Sequence, residues 1–445
     1  MQELKKIQNK KIGILGLGIE NYALVNYILN KKILCEITIC DARDKKELNE
    51  KYNELKKYKN INWQFGKNYK QNLEKFDILF RSPGWPIKQV KSLKLKVKSY
   101  LSSPMQLFFE LCPTKNIIGV TGTKGKGTTA SLIYEILKTS GKKVWLGGNI
   151  GIAPFDFLTK IKKTDWVILE LSSFQLEDMT ISPYISVITN FYSEHLAPAD
   201  PNNPNYHKSL KDYYSAKLNI IKWQKKEDKA IVNYKLRIAN YELNTKCKII
   251  YFEKSELQSK LIGEHNKENI MAAIEVAKII KIKQEVIKKA VANFKGLPHR
   301  IELVKNARGA KYYDDSFATT PESTIIALKS FNQPIIILLG GADKGADFKQ
   351  LAKEVKKKCK FVILLDGVAT LRIKKELLKA GFELKKMKLV NNIKNAVKIA
   401  KENATENDIV LLSTACASFG MFKNYKERGD LFKQEVKLRI RNFEH

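Results

Sequence analysis

The chain has 445 residues, 44% of them hydrophobic, enough for about three domains with substantial cores. No apolar run approaches the roughly 20 residues of a membrane span, and the six scattered cysteines form no CxxC pair, which argues against a spanning helix, a disulfide framework and a zinc site. Eighty basic against 46 acidic residues give a formal charge of +34, spread over every segment, so it reads as a solvated surface that attracts polyanionic substrates and not as a specific nucleic-acid or membrane interface. The opening MQELKKIQNKK is polar and lacks an apolar signal core, so the expectation is a cytoplasmic chain.

Residues 11–20, KIGILGLGIE, read as a strand running into Gly16-x-Gly18. A helix follows through Ala23, Leu24, Tyr27 and Ile28. A second strand over 37–40 ends at Asp41. Glycines that admit phosphates, with an acidic residue about 20 positions on, make the ribose-binding arrangement of a Rossmann-like unit. Asn21 stands where a third glycine is usual, so a plain α/β turn competes with this reading. Residues 78–80 lead into the turn Ser82-Pro83-Gly84. No hydride-transfer machinery is legible, so a nucleoside diphosphate is expected and not a dinucleotide. Residues 101–112 are expected to link this domain to the next.

Residues 117–141, IIGVTGTKGKGTTASLIYEILKTSG, give a buried strand, a glycine-rich turn and an amphipathic helix. In that order they cradle phosphate. The glycines of the turn Gly122, Thr123, Lys124, Gly125, Lys126, Gly127 and Thr128 let backbone N–H groups approach the anion, the helix N-terminus adds positive potential, and Lys126 reaches the outer phosphates. Gly127 follows the lysine where Ser or Thr is usual, so Thr128 or Thr129 must supply a metal-binding hydroxyl. Residues 147–151, GGNIG, form another flexible turn. A strand over 166–169 ends at Glu170, a carboxylate well placed beside a phosphate loop to hold Mg²⁺. His195, just past a strand over 185–189, is a metal or substrate ligand or a structural histidine. The stretch 198–206, PADPNNPNY, reads as a loop or lid. Lys217 lies in a helix, where a surface position is the default for lysine.

Residues 263–269, GEHNKEN, start a helix, and 296–302, GLPHRIE, read as a hinge into a third domain. An acidic turn, Tyr313-Asp314-Asp315-Ser316, lies close by. Strands over 335–339, 361–365 and 409–412 each end in a polar or glycine-rich turn, the pattern of a doubly wound α/β domain.

These motifs in this order, with LELSSFQLE, GGADKGADF and STACASFGMFKNYKERGDLF, resemble the Mur ligases over nearly the whole chain. The resemblance implies an α/β chain of three domains: a Rossmann-like UDP-binding domain over 1–104, a P-loop ATPase-like domain over 105–296 and a Rossmann-like amino-acid-binding domain over 297–445. It implies ATP-dependent addition of glutamate, in the D form, to UDP-N-acetylmuramoyl-L-alanine, by a monomer. UDP-substrate contacts would come from Gly16, Leu17, Gly18, Asp41, Arg43, Ser82, Gly84 and Asn149, and ATP contacts from residues 122–128 with Asn266, Asn269, Arg300 and Asp315. Lys126, His195 and Lys217 would be catalytic. Thr128, Glu170, His195 and a carbamylated Lys217 would hold two Mg²⁺ ions. Lys344, Ser418 and Tyr425 would hold the incoming glutamate. Three positions depart from the pattern: Lys124 stands where Asn is commoner, Gly127 where Ser or Thr is, and Phe317 where the D-glutamate enzymes carry Lys. The loop is nearer to that of folylpolyglutamate synthases, so an L-glutamate variant or a folylpolyglutamate-synthase-like ligase stands as the alternative.

Overall fold

The computed structural model describes residues 6–91, 100–196, 205–239, 241–343 and 345–439. Lys344 and residues 198–204 of the expected lid lie outside the described residues. Two compact units divide the chain, residues 1–257 with 267–291, and residues 258–266 with 292–445.

The first unit contains two sheets. Strands β1 (Lys11–Leu15), β2 (Glu36–Asp41), β3 (Ile61–Phe65), β4 (Ile78–Arg81) and β5 (Tyr100–Ser102) pair in parallel in the order β3-β2-β1-β4-β5. Strands β6 (Ile117–Thr121), β7 (Val144–Gly148), β8 (Trp166–Glu170), β9 (Ile185–Ile188), β10 (Lys229–Asn233) and β11 (Lys248–Phe252) pair in parallel in the order β11-β10-β9-β6-β8-β7. A parallel sheet is covered by helices on both faces, which is why β6 is buried along its whole length. The strand order reverses beside β1 in the first sheet and around β6 in the second. Crevices open at the carboxyl ends of such strands.

The expected linker at 101–112 is ordered structure instead. Residues 100–102 form the edge strand β5, and Pro104–Leu111 is a helix capped by Ser103. Phe108 of that helix packs edge-on against Phe155 and Phe157. The strand is three residues long, too short to show an alternating pattern. Asn21 is buried and replaces the missing glycine with a staple. Its amide donates to the carbonyls of Leu15, Gly16 and Phe80, tying the ends of β1 and β4 together.

Arg81, at the end of β4, is 1% exposed and joins the two sheets of this unit. Its guanidinium donates to Asp178 Oδ2 at 2.6 Å, to the Phe174 carbonyl at 2.7 Å and to the Trp85 carbonyl at 2.9 Å. Glu20 accepts from Gln175 in the same region, and burial raises its carboxyl pKa to about 7.

The second unit has one sheet. Strands β12 (Glu302–Ala307), β13 (Ala310–Asp314), β14 (Ile335–Leu339), β15 (Cys359–Leu365), β16 (Met387–Val390) and β17 (Ile409–Leu412) run in the order β12-β13-β17-β14-β15-β16. All pairs are parallel except the β12–β13 hairpin. Arg308 and Gly309 turn that hairpin, both with left-handed backbone, φ +52° and +76°. Among the described residues no helix is long and apolar enough to cross a membrane. All six cysteines are free thiols, and four are buried.

The Arg81 contacts give a stability prediction. Arg81→Met should lower the unfolding free energy of the first unit by about 3 kcal/mol or more, because Asp178 is left buried without its cation. Adding Asp178→Asn should recover part of that loss. Denaturant melts of the two variants check this, and strictly additive losses would contradict the coupling.

Candidate active site

The first crevice lies where Gly16 follows β1. Its backbone is left-handed, φ +79°, and a Cβ there would lie 2.7 Å from Ser82 Oγ, so the two expected phosphate-facing turns touch. Gly18 caps the helix Ile19–Asn30 without a side-chain hydrogen bond, which leaves its N-terminal N–H groups for an anion. Asp41 spends both carboxylate oxygens inside the protein. Oδ2 accepts from the Leu17 N–H at 2.7 Å and from Arg43 Nη2 at 2.9 Å, and Oδ1 accepts from Arg43 N and Nε. Burial pushes the Asp41 pKa up, but these bonds outweigh it and hold the carboxyl below its usual range. Asp41 therefore orients Arg43, whose side chain is 35% exposed and is the group left facing outward. Gly84 lies in the turn after Ser82, and the Ser82 N–H bonds the Leu15 carbonyl.

The second crevice is built on the turn after β6. Gly122 has φ +141°, and a Cβ there would meet Thr189 Oγ1 at 2.0 Å, so no side chain fits. The strand end at 189–190 grips the loop. The Thr123 N–H bonds the Asn190 carbonyl, the Lys124 N–H bonds Asn190 Oδ1 at 2.9 Å, and the Lys124 carbonyl accepts from Thr189 Oγ1 and Asn190 Nδ2. Gly125, φ +83°, starts the helix Lys126–Thr139 and faces Asn269, whose Oδ1 would lie 2.2 Å from a Cβ. Asn269 Oδ1 also accepts from Thr129 Oγ1 at 3.3 Å. Thr129 is fully buried, whereas Thr128, in the first turn, keeps some exposure, which leaves Thr128 as the better candidate for a metal hydroxyl. Lys126 Nζ folds back to the Thr123 carbonyl at 3.0 Å.

Gly147 and Gly148, expected as a turn, end the edge strand β7, and Gly148 pairs with Glu170. Asn149 follows, and its side chain donates to Glu170 Oε1 at 2.9 Å. His195 has a left-handed backbone, φ +59°, and packs edge-on against Phe174. Burial lowers its pKa against the opposing pull of Glu194, and the ammonium groups of Lys126 and Lys124 act with burial, which favours the neutral imidazole, the form that binds metals.

Lys217 contradicts the surface reading. It is 2% exposed, and its Nζ lies 2.8 Å from the Gly122 carbonyl and 4.7 Å from the centroid of the Tyr213 ring. It occupies the apolar face of the helix Leu210–Lys222 with Tyr213, Ile220 and Ile221. Burial first, and the Lys126 ammonium second, bring its pKa well below the ordinary value.

The second unit gathers its own polar cluster at the end of β13. Asp315 is buried, accepts from Ser413 Oγ at 2.7 Å and has its pKa raised to about 7 by desolvation. Arg300 lays its guanidinium on the Phe317 ring, 3.7 Å from the centroid, and Tyr425 packs edge-on against the same ring. Ser418 is buried after β17. The Asn266 side chain donates to the Ile262 carbonyl.

Family models for the Mur ligase MurD-like N-terminal domain, the Mur ligase middle domain and the Mur ligase glutamate ligase domain match residues 10–98, 120–256 and 299–416. The chain is 37% identical to the UDP-N-acetylmuramoylalanine–D-glutamate ligase of Acetivibrio thermocellus, over 97% of each chain. The enzyme of the same name from Clostridium tetani is also 37% identical, over 98% of each chain. The chain belongs to the Mur ligase family. In fold it resembles a MurF ligase from Thermotoga maritima solved with ADP, at a TM-score of 0.59 and 17% identity over 98% of this chain and 97% of that one. It also resembles a bifunctional folylpolyglutamate synthase/dihydrofolate synthase from Yersinia pestis solved with AMPPNP and manganese, at 0.54 and 15% identity over 74% of this chain and 91% of that one.

Several groups of this Mur ligase escaped the sequence reading. Glu194 pairs with Lys124 at 2.6 Å. Its carboxyl pKa is pushed up by burial, but the charge and hydrogen bond of Lys124 outweigh that and keep it below the usual range. His207 stacks on the face of Phe174, whose edge supports His195, and hydrogen-bonds Ser173. In the second unit Arg428 is buried and donates to Ser316 and to the Cys416 carbonyl, and His299 pairs with Asp314 at 2.7 Å. His299 and Arg428 lie inside GLPHRIE and YKERGDLF, so the motifs were visible but the partners were not.

Asp315 makes stability depend on pH. Its pKa rises from 3.8 to about 7 on folding, so its contribution is complete below about pH 4 and is lost as pH rises through about 7. Asp315→Asn, neutral throughout, should gain on the wild type across that window by up to roughly 4 kcal/mol and keep a constant lead above it. Urea melts of both proteins at intervals between pH 4 and 8 check this. A pH-independent difference would refute it.

Proposed function

We propose that this Mur ligase adds D-glutamate to UDP-N-acetylmuramoyl-L-alanine at the expense of ATP, in the cytoplasmic assembly of peptidoglycan precursors. The observation that carries the reading is 37% identity over 97% of the chain to a ligase of that name. The assigned boundaries are UDP-substrate binding over 1–104, ATP binding over 105–296 and amino-acid binding over 297–445. The three sheets and the three matched regions support this division.

In this reading the acceptor carboxylate attacks the γ-phosphate to give an acyl phosphate. The glutamate amine then attacks that carbonyl, and phosphate leaves. The first step brings anions together, so the protein must supply fixed positive charge and close positioning. Loop N–H groups over 122–128 other than those of Thr123 and Lys124, which are spent on Asn190, and the Lys126 ammonium would hold the phosphates, and the resemblance adds Asn266, Asn269, Arg300 and Asp315 as further ATP contacts. Gly16, Leu17, Gly18, Ser82 and Gly84 would face the UDP diphosphate, with Asp41 orienting Arg43. Asn149 would position the acceptor, and Lys344, Ser418 and Tyr425 the glutamate. The second step needs a neutral amine held in line, which is largely positioning.

The donor set supports a divalent cation at Thr128, Glu170 and His195, where Mg²⁺ would neutralise charge on the transferring phosphoryl group. A second ion lacks an oxygen ligand as the residues stand, because Glu194 is engaged by Lys124. A carbamate on Lys217 would supply it. Carbamylation needs a neutral amine, and burial lowers the Lys217 pKa in that direction.

Incubation with ATP, Mg²⁺, UDP-N-acetylmuramoyl-L-alanine and each glutamate enantiomer separately tests the function. Amide formation with the D form is expected. Turnover with the L form alone would favour the alternative suggested by Phe317. Lys217→Ala should lose most activity, by about 100-fold or more given the weight of transition-state electrostatics, and short carboxylic acids should restore part of it. A fully active Lys217→Arg would defeat the carbamate.

A further inference from the structure

Lys124 is the departure in the phosphate loop that the proposed function leaves without a role for its side chain. Its backbone is fixed on both sides. The N–H bonds Asn190 Oδ1 at 2.9 Å, and the carbonyl accepts from Thr189 Oγ1 at 2.7 Å and Asn190 Nδ2 at 3.0 Å. The loop is therefore held by main-chain bonds, and the side chain is not needed to shape it. The ammonium lies 2.6 Å from Glu194 Oε1, and Glu194 Oε2 is 3.8 Å from His195 Nε2. The Lys124 side chain is 32% exposed, so it can change partners without breaking a buried bond.

We infer that Lys124 is a second catalytic cation: when ATP occupies the loop, its ammonium leaves Glu194 for the γ-phosphoryl oxygens and shares with Lys126 the charge that develops during transfer. Glu194 keeps the ammonium at the mouth of the loop until the phosphate arrives. An amide at this position, the commoner residue, offers only a neutral donor, whereas a charged donor makes roughly twice as strong a hydrogen bond to phosphate. No bond to Lys124 is made or broken in this role. The inference rests on the ATP-site reading above.

The full chain tests it through nucleotide binding, without acceptor. With Mg²⁺ present, Lys124→Met should bind ADP within about twofold of wild type and the non-hydrolysable analogue AMPPNP about tenfold or more weakly, because only the third phosphate meets the ammonium. Lys124→Arg should recover most of the AMPPNP affinity, since the charge is kept. In the complete reaction Lys124→Met should lower kcat by about tenfold or more. Equal weakening of ADP and AMPPNP in a protein that melts like wild type would make Lys124 a loop-shaping residue and overturn the inference. So would unchanged AMPPNP affinity. Absence of turnover by the wild type with UDP-N-acetylmuramoyl-L-alanine would instead count against the proposed function and leave the binding comparison standing.

Discussion

The Lys217 amine donates to the Gly122 carbonyl inside the turn that opens the phosphate loop, and the Tyr213 ring, one turn back on the same helix, packs against it. A buried ammonium with one neutral acceptor costs several kcal/mol, so the site favours the uncharged amine. The contact also fixes geometry. Gly122 has no room for a side chain because Thr189 closes on it, and Thr123 Oγ1 lies 3.1 Å from the Tyr213 hydroxyl. The loop, the end of β9 and the helix Leu210–Lys222 are thus held against one another around one amine. A change at any of the three would move the phosphate-facing backbone.

Different residues do comparable work in the two crevices of the first unit. Beside β1, a glycine turn and an uncapped helix N-terminus leave N–H groups exposed, and Asp41 is consumed in fixing Arg43. Beside β6, the loop N–H groups are backed by Lys126, and Asn190 holds the loop open. In both, a side-chain amide spent on main-chain groups fixes the backbone of the turn. Asn21 is the clearest case, because it takes the place of a glycine that other chains use for close approach and spends its amide on three carbonyls.

The sequence displayed the phosphate loop, the alternation of strand and helix and the positions of Glu170, His195 and Lys217, because glycine turns and apolar runs leave local marks. It hid whatever depends on partners far along the chain. Glu194 lies 70 positions from Lys124, and Asp178 lies 97 from Arg81. The short strand β5 and the β12–β13 hairpin were missed because neither has the length or continuous apolarity of the buried strands. The surface default for Lys217 failed for a related reason. A helix with lysines on most turns shows no sign of which one faces inward, and only packing against the phosphate loop decides it.

The formal charge of +34 and the paired lysines of the loop act on different lengths. At physiological ionic strength a surface charge is screened beyond about 8 Å, so the diffuse lysines can raise the encounter rate with nucleotides but cannot tell one phosphate from the next. Discrimination falls to charges held at fixed positions in a partly desolvated cleft, where each is worth more and where an excess is costly. At the loop Lys124 is paired with Glu194, and burial lowers the pKa values of Lys217 and His195. The Lys124 charge is therefore already paired, and under the proposed function a polyphosphate would enter by exchanging partners with Glu194.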